Sequence, residues 1–90
     1  MKNYLKIVHI DENSLIPKYQ QVVSAIVTGV EQEMIINGDI LPSIHDFCVA
    51  LDVSKNTIEK AYNTLKKKGI VSSYRGKGYF VSIVKMALQA

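Results

Sequence analysis

Residues 53–69 read VSKNTIEKAYNTLKKKG, and this stretch carries the start, the apolar stripe and the stop of one amphipathic helix. Ser54 is a favourable N-cap, because its hydroxyl can accept a hydrogen bond from an N–H group of the first turn. Gly69 lies where a left-handed residue ends a helix, after lysines that favour the negative end of the helix dipole. The apolar stripe has the spacing i, i+3, i+4, i+7: Ile58, Ala61, Tyr62 and Leu65. The stretch therefore predicts a helix over residues 54–68 with one buried and one polar side.

A shorter helix is predicted just before it. Ser43 can cap this helix, and Asp46 three positions later resembles the second member of a capping box. The helix ends near Leu51, where residues 52–53 supply the turn. Its apolar stripe repeats the same spacing: Ile44, Phe47, Cys48 and Leu51. Two helices joined by a turn of about three residues predict a helix-turn-helix.

An N-terminal helix is predicted from Pro17 to about Glu33, because proline suits the first helical position. Its apolar residues recur at helical spacing: Tyr19, Val22, Val23, Ile26, Val27 and Val30. Residues 1–14 alternate only weakly and are interpreted as an N-terminal arm or short strand. Residues 15–82 form the expected folded domain.

A β-hairpin is predicted after Gly69. Residues 70–74 and 79–84 are β-prone runs, and Arg75-Gly76-Lys77-Gly78 joins them as a glycine-rich, doubly cationic tip. A hairpin directly after a helix-turn-helix is the wing of a winged helix. The predicted fold class is α+β, mainly α: a winged helix-turn-helix of three helices plus a C-terminal β-hairpin wing. Tyr79 and Phe80 would suit stacking on RNA bases, but strand alternation places at least one of them in the core.

The distribution of charge favours a polyanionic partner. The 90-residue chain has a net charge of +3, and its size is that of one small domain. Residues 1–52 carry three basic and seven acidic residues, whereas residues 53–90 carry eight basic residues and one acid. The basic half suits nucleic acid or an anionic membrane surface. A single cysteine cannot form an internal disulfide, and no apolar run approaches the roughly 20 residues of a membrane span, so the cytoplasm is the expected location.

The first turn of the helix at residues 54–57, here called the reading turn, has the side chains of a base-reading surface. Lysine can donate to guanine, asparagine can pair with adenine, and serine or threonine can bond a base or phosphate. Arg75 at the wing tip could enter a narrow minor groove. The alternative interpretation is a capped helix with a solvated polar side. The basic hairpin beside the helix favours nucleic acid, and the later lysines, residues 66–68, are expected to supply general attraction.

Catalytic and metal chemistry find little support in the sequence. His45 and Cys48 are spaced i, i+3, but two ligands do not make a metal site. The glycines at the wing tip lack the third glycine and following helix of a dinucleotide fingerprint. No catalytic triad, carboxylate pair or phosphate loop is discernible. The chain is not expected to be an enzyme or to bind a cofactor or metal.

Several segments together are similar to the DNA-binding domain of GntR-family bacterial transcription regulators. They are Leu41-Pro42-Ser43, residues 52–58, 61–70 and 75–81, with residues 17–22 resembling the family's opening. The resemblance implies a winged helix that binds double-stranded operator DNA as a homodimer on an inverted repeat. It also implies a further effector-binding domain, so that residues 83–90 would begin a linker or tail and any effector would bind outside this chain.

The resemblance also assigns residues by position. His45 lies where the family often has a phosphate-contacting arginine, although histidine lacks arginine's permanent charge. Lys55 replaces a common arginine and loses its planar fork, and Glu59 occupies a position that is often basic. The expected DNA-binding residues are Ser43, His45, Ser54, Lys55, Asn56, Thr57, Lys60, Arg75, Gly76 and Lys77.

The leading hypothesis is a sequence-specific DNA-binding domain of a bacterial transcription regulator, with repression as the expected mode. The helix at residues 54–68 would enter the major groove, and the wing at residues 74–79 would contact the minor groove. The alternative hypothesis is a winged-helix module for protein–protein interaction or dimerisation without DNA binding. A membrane-surface domain is a weaker alternative, because the core requires the apolar side of the basic helix.

Overall fold

The computed structural model of the chain describes residues 7–74 and 78–83, with the backbone alone described at Tyr74. Within these residues the chain forms three helices and three short strands. Their order and bounds are α1 Lys18–Glu31, β1 Ile40–Leu41, α2 Ile44–Leu51, α3 Lys55–Lys67, β2 Val71–Tyr74 and β3 Gly78–Val81. The predicted winged helix-turn-helix is confirmed, with one additional strand.

Side-chain caps start both helices of the helix-turn-helix, as predicted. The Oγ of Ser43 accepts a hydrogen bond from the backbone N–H of Asp46 at 3.0 Å. The Oγ of Ser54 accepts one from the backbone N–H of Thr57 at 3.2 Å. A serine N-cap contributes about 1 kcal/mol relative to alanine. The two caps fix where α2 and α3 begin, and therefore which side chains form their first turns.

The end of α3 is a Schellman motif built around Gly69. Gly69 has φ of +78°, and its N–H donates to the carbonyl oxygen of Lys66 at 3.0 Å. The N–H of Ile70 donates to the carbonyl oxygen of Leu65 at 3.1 Å. Both hydrogen bonds satisfy carbonyls that the helix itself leaves without partners. The motif confirms the predicted C′ glycine and turns the chain into β2.

The first helix ends two residues earlier than predicted. Its last residue is Glu31, and Glu33 adopts φ of +61°, outside the helical region. The N–H of Glu33 donates to the carbonyl oxygen of Val30 at 3.1 Å, and that of Met34 donates to Gly29 at 2.8 Å. This is the same Schellman arrangement, with glutamate in the place that glycine usually takes.

The three strands form an antiparallel sheet in the order β1-β3-β2. In the wing hairpin, Val71 pairs with Val81 and Tyr74 with Gly78. β1 was not predicted from the sequence, because its two residues are too few to show alternation. It pairs Leu41 with Tyr79, so the chain entering α2 is tied to the wing.

The core lies between the three helices and the inner side of the sheet. Every residue of the predicted α3 stripe is buried, whereas only Phe47 of the α2 stripe is buried. Val8 is also a core residue, and residues 7–14 contain no strand. No helix in the described part of the chain is long and apolar enough to span a membrane. The core residues are Val8, Val22, Val23, Ile26, Val30, Ile35, Leu41, Phe47, Ile58, Ala61, Tyr62, Leu65, Ile70, Val71 and Val81.

Candidate nucleic-acid interface

The reading turn lies at the start of α3, on the side opposite the core. Ser54, Lys55 and Asn56 are exposed and Thr57 is half-buried. The Oγ atoms of Ser54 and Thr57 are 2.8 Å apart and share a hydrogen bond, in addition to the cap. Both hydroxyls are therefore engaged with each other. The Lys55 ammonium and the Asn56 amide are the long polar groups that project outward from this turn.

Backbone groups add to the positive character of the turn. The N–H groups of Lys55 and Asn56 lie in the first turn, where an α-helix offers no internal acceptor. The helix dipole places partial positive charge at the same end, which favours an anion such as phosphate. Lys55 adds a full charge. The turn can thus attract a phosphate backbone and present hydrogen-bonding side chains to base edges.

The start of α2 contributes to the same surface. His45 is exposed, and it lines a depression of about 270 Å³ together with Ile44, Cys48 and Lys55. The helix-turn-helix thus brings His45 and Lys55 to one concavity. The side chain of Ser43 caps α2, so its oxygen already accepts a hydrogen bond from Asp46.

Lys60 lies one turn further along α3 and contacts α1. Its side chain is exposed, and its Nζ lies 4.4 Å from the centroid of the Tyr19 ring, a cation–π distance. A depression of about 470 Å³ lies at this point between the two helices. Its lining residues are Pro17, Lys18, Tyr19, Asn56, Thr57 and Lys60. The sequence did not indicate Lys18 or Tyr19 as site residues, since periodicity does not show a contact between separate helices.

The three lysines at the end of α3 differ in their surroundings. The Nζ of Lys66 donates to the Oγ of Ser73 at 3.3 Å and lies 5.9 Å from the centroid of the Tyr79 ring. Lys66 therefore lies against the wing. Lys67 and Lys68 are exposed beyond it. The predicted wing contacts Arg75, Gly76 and Lys77 lie outside the described residues and stay a prediction.

The surface offers hydrogen-bond donors and positive charge. Among residues 7–74 and 78–83, no group of three or more His, Cys, Asp or Glu residues could hold a metal ion. Lysines contribute to the lining of both concavities described above: Lys18 and Lys60 between α1 and α3, and Lys55 beside α2. Positive charge and hydrogen-bond donors on one surface suit a polyanionic partner.

The chain has the architecture of the winged-helix class of DNA-binding domains. Its helix-turn-helix is followed by a β-hairpin, and the second helix of the motif, α3, begins with an exposed turn that contains a lysine. Residues 18–81 match the family model described as "Bacterial regulatory proteins, gntR family". The chain belongs to the GntR family, which confirms the resemblance seen in the sequence.

Two curated relatives come from Bacillus subtilis strain 168. The chain is 39% identical over 64 residues to the uncharacterized HTH-type transcriptional regulator YydK, covering 71% of this chain and 27% of that protein. It is 31% identical over 75 residues to the HTH-type transcriptional repressor YtrA, covering 83% of this chain and 58% of that protein. The chain thus spans only part of the length of these relatives.

Solved structures show the same fold. YtrA from Sulfolobus acidocaldarius, a GntR-family transcription factor, superposes with a TM-score of 0.77 at 30% identity, covering 93% of this chain and 99% of that one. AraR(DBD) in complex with operator ORR3 superposes with a TM-score of 0.70 at 30% identity, covering 81% of this chain and 88% of that one.

Proposed function

We propose that this chain is the sequence-specific DNA-binding domain of a bacterial transcription regulator that acts as a repressor. In this proposal α3 enters the major groove of an operator, and the wing at residues 74–79 contacts the adjacent minor groove. The observation that carries the proposal is the reading turn, where Lys55 and Asn56 project from the solvent side of a helix whose other side is buried.

The two-sided character of α3 is what makes it suitable for reading DNA. Ile58 and Leu65 are completely buried and hold the helix against the rest of the domain. The helix therefore presents one fixed side to the outside. An α-helix fits the major groove, which is about 12 Å wide. A rigidly held helix keeps its base-reading side chains in register, which specificity requires.

The side chains divide into base-reading and positioning roles. Lys55 and Asn56 have the donors and acceptors that match guanine and adenine in the major groove. His45 on α2 and Lys60 on α3 flank them and suit phosphates, which position the protein without reading sequence. Ser54 and Thr57 set the shape of the turn through their shared hydrogen bond.

The remaining proposed contacts complete the footprint. Ser43, at the start of α2, would contact the phosphate backbone of the DNA. Arg75, Gly76 and Lys77 would contact the minor groove and its phosphates from the wing tip. The proposal places the protein in the cytoplasm as a homodimer on an inverted repeat, with any effector bound outside this chain.

Two relatives support this proposal. AraR(DBD), which shares the fold at 30% identity, is in complex with an operator in its solved structure. YtrA of B. subtilis, 31% identical over 75 residues, is named a transcriptional repressor. The AraR(DBD) complex supports operator DNA as the partner of this chain, and the name of the B. subtilis YtrA supports repression as its mode.

Selection of bound duplexes from a random pool tests the proposal. We expect the selected sequences to share an inverted repeat, which would support specificity and dimeric binding together. Anisotropy titrations of the selected and a scrambled duplex at two salt concentrations would then separate specific from electrostatic binding. No enrichment, with little salt-dependent affinity for any duplex, would contradict the proposal and favour a protein–protein module.

A further inference from the structure

We propose that Tyr19 of α1 is a positioning residue for Lys60 of α3. Its ring holds the Lys60 ammonium beside the reading turn while leaving the positive charge available to a DNA phosphate. The inference rests on the proposed function, since DNA binding is the activity through which it is measured. It adds a residue from the first helix, outside the helix-turn-helix, to the determinants of binding.

The contact joins the Tyr19 ring, which the core holds in place, to the flexible side chain of Lys60. The Nζ of Lys60 lies 4.4 Å from the Tyr19 centroid, well inside the roughly 6 Å range of a cation–π interaction. Tyr19 is half-buried and packs against the core, and its hydroxyl accepts a hydrogen bond from the Nε2 of Gln20 at 3.2 Å. Lys60 is exposed. The core therefore fixes the ring, and the ring restricts the end of the lysine.

The nature of the partner decides whether a negative charge lies beside the lysine and offsets its positive charge. Lys18, in the same concavity, lies 3.0 Å from a carboxylate oxygen of Glu12, which offsets its positive charge. The face of a tyrosine ring attracts a cation through its quadrupole and carries no formal charge. The ring thus restrains Lys60 without placing a negative charge beside it. Since an ammonium has three N–H donors, those directed away from the ring can still bond a phosphate oxygen.

The location of the contact links it to base reading. Lys60 and Tyr19 line one concavity of about 470 Å³ with Asn56 and Thr57 of the reading turn. A phosphate held by Lys60 would therefore lie next to the residues proposed to read bases. A side chain that is already confined loses less freedom on binding, so the ring should raise affinity by reducing that loss.

A double-mutant cycle on the full 90-residue chain separates positioning from simple structural support. The variants are Tyr19→Leu, Lys60→Met and their combination, with Tyr19→Phe as the variant that keeps the ring. Lys67→Met, alone and combined with Tyr19→Leu, is the matched control, because Lys67 is an exposed lysine further along the same helix. Affinity for the selected duplex is measured by anisotropy at one salt concentration.

We expect Tyr19→Leu to weaken binding about twofold to fivefold, the range of an exposed cation–π interaction, and Tyr19→Phe to bind like the native chain. In the Lys60→Met background Tyr19→Leu should have no further effect, whereas its effect should persist in the Lys67→Met background. An equal effect of Tyr19→Leu in both backgrounds, or an equal weakening with Tyr19→Phe, would overturn the inference.

Nuclear magnetic resonance of the chain without DNA gives an independent readout. The ring should shift the Lys60 ε-protons upfield, and Tyr19→Leu should abolish that shift while Tyr19→Phe preserves it. Absence of the shift in the native chain would overturn the inference even if the affinities change. A native chain without salt-dependent duplex binding would contradict the proposed function and the inference together, whereas native binding that is unaffected by Tyr19→Leu would contradict the inference alone.

Discussion

Tyr62 of α3 and Tyr79 of β3 stack with their ring centroids 4.0 Å apart and 14° between the ring planes. The Tyr62 hydroxyl donates a hydrogen bond to the backbone carbonyl of Pro42, just before α2. Its ring centroid also lies 5.9 Å from that of Phe47 within α2. One side chain therefore connects both helices of the helix-turn-helix to the wing. These contacts hold α2, α3 and strand β3 of the wing together as a single unit.

The hydrogen bond from Tyr62 to Pro42 leads to a stability prediction. Tyr62→Phe keeps the stacked ring but leaves the Pro42 carbonyl without this donor, so we expect the free energy of unfolding to fall by about 1 kcal/mol. Urea denaturation monitored by circular dichroism measures the change. Tyr79→Phe is the matched control, since it keeps the stack and the Pro42 hydrogen bond, and we expect a change within about 0.5 kcal/mol. Equal decreases in the two variants would contradict a specific role for the Tyr62 hydroxyl.

In the Schellman motifs at Glu33 and Gly69, substitutions should change the free energy of unfolding in opposite directions. Glu33 adopts φ of +61°, a conformation that costs a non-glycine residue about 1–2 kcal/mol, so Glu33→Gly should raise the free energy of unfolding by about 0.5–1 kcal/mol. Gly69 adopts φ of +78°, so Gly69→Ala should lower it by about 1 kcal/mol. Thermal and urea unfolding of both variants test the pair. A destabilised Glu33→Gly variant would mean that the glutamate side chain makes an offsetting contribution.

Gly29 in the last turn of α1 allows Ile35 to approach the helix closely. A Cβ atom at position 29 would lie 2.7 Å from the Cδ1 of Ile35, and Ile35 is only 1% exposed and has little room to move. Alanine gains about 1 kcal/mol of helix propensity, but overpacking costs about 1–3 kcal/mol, so we expect Gly29→Ala to destabilise by about 1 kcal/mol.

Because Gly29 and Ile35 are in contact, substitutions at the two positions should have non-additive effects on the free energy of unfolding. Ile35→Val removes Cδ1 and alone should cost about 0.5–1.5 kcal/mol. Combined with Gly29→Ala, it should cost at least about 0.5 kcal/mol less than the sum of the two single changes, because the added Cβ occupies the vacated space. Urea unfolding of the four proteins gives the coupling energy. Strict additivity would show that Ile35 can move aside without penalty.

Local signals in the sequence predicted most of the fold. The α3 stripe, the caps Ser43 and Ser54 and the C′ residue Gly69 each follow from spacing or from one residue's conformational preference. The end of α1 was not predicted accurately. The helix ends through the left-handed conformation of Glu33, which glutamate rarely adopts and which the sequence therefore does not indicate. β1 was missed because its two residues are defined only by pairing with β3.

The candidate site was less accessible to sequence reasoning. The polar side of α3 was predicted from periodicity, and the structure places those residues on the solvent side. Sequence could not show that Ser54 and Thr57 bond to each other, although their i, i+3 spacing allowed it. It also could not show Tyr19 beneath Lys60, since that contact depends on how α1 packs against α3. Partners brought together by tertiary packing leave no periodic signal.

The proposed division between side chains that read bases and lysines that only attract the DNA backbone can be tested by measuring DNA binding. Asn56→Ala should reduce discrimination between the selected and a scrambled duplex by about 1–3 kcal/mol, the worth of one bidentate base contact, because its exposed amide lies in the reading turn. Lys55→Ala should likewise reduce discrimination. Both variants should unfold close to the native transition, since exposed side chains away from special features contribute within about 0.5 kcal/mol.

Lys77→Ala and Lys67→Ala should behave differently from Asn56→Ala. Each removes a charge but leaves the proposed base-reading side chains in place, so affinity should fall by a similar factor for both duplexes. The slope of log affinity against log salt should also become shallower by up to about 0.9 for each phosphate that is no longer neutralised. Anisotropy titrations of the two duplexes at several salt concentrations measure discrimination and slope together. Full discrimination in the Asn56→Ala and Lys55→Ala variants, with reduced discrimination in Lys67→Ala, would move base reading from the start of α3 to its end.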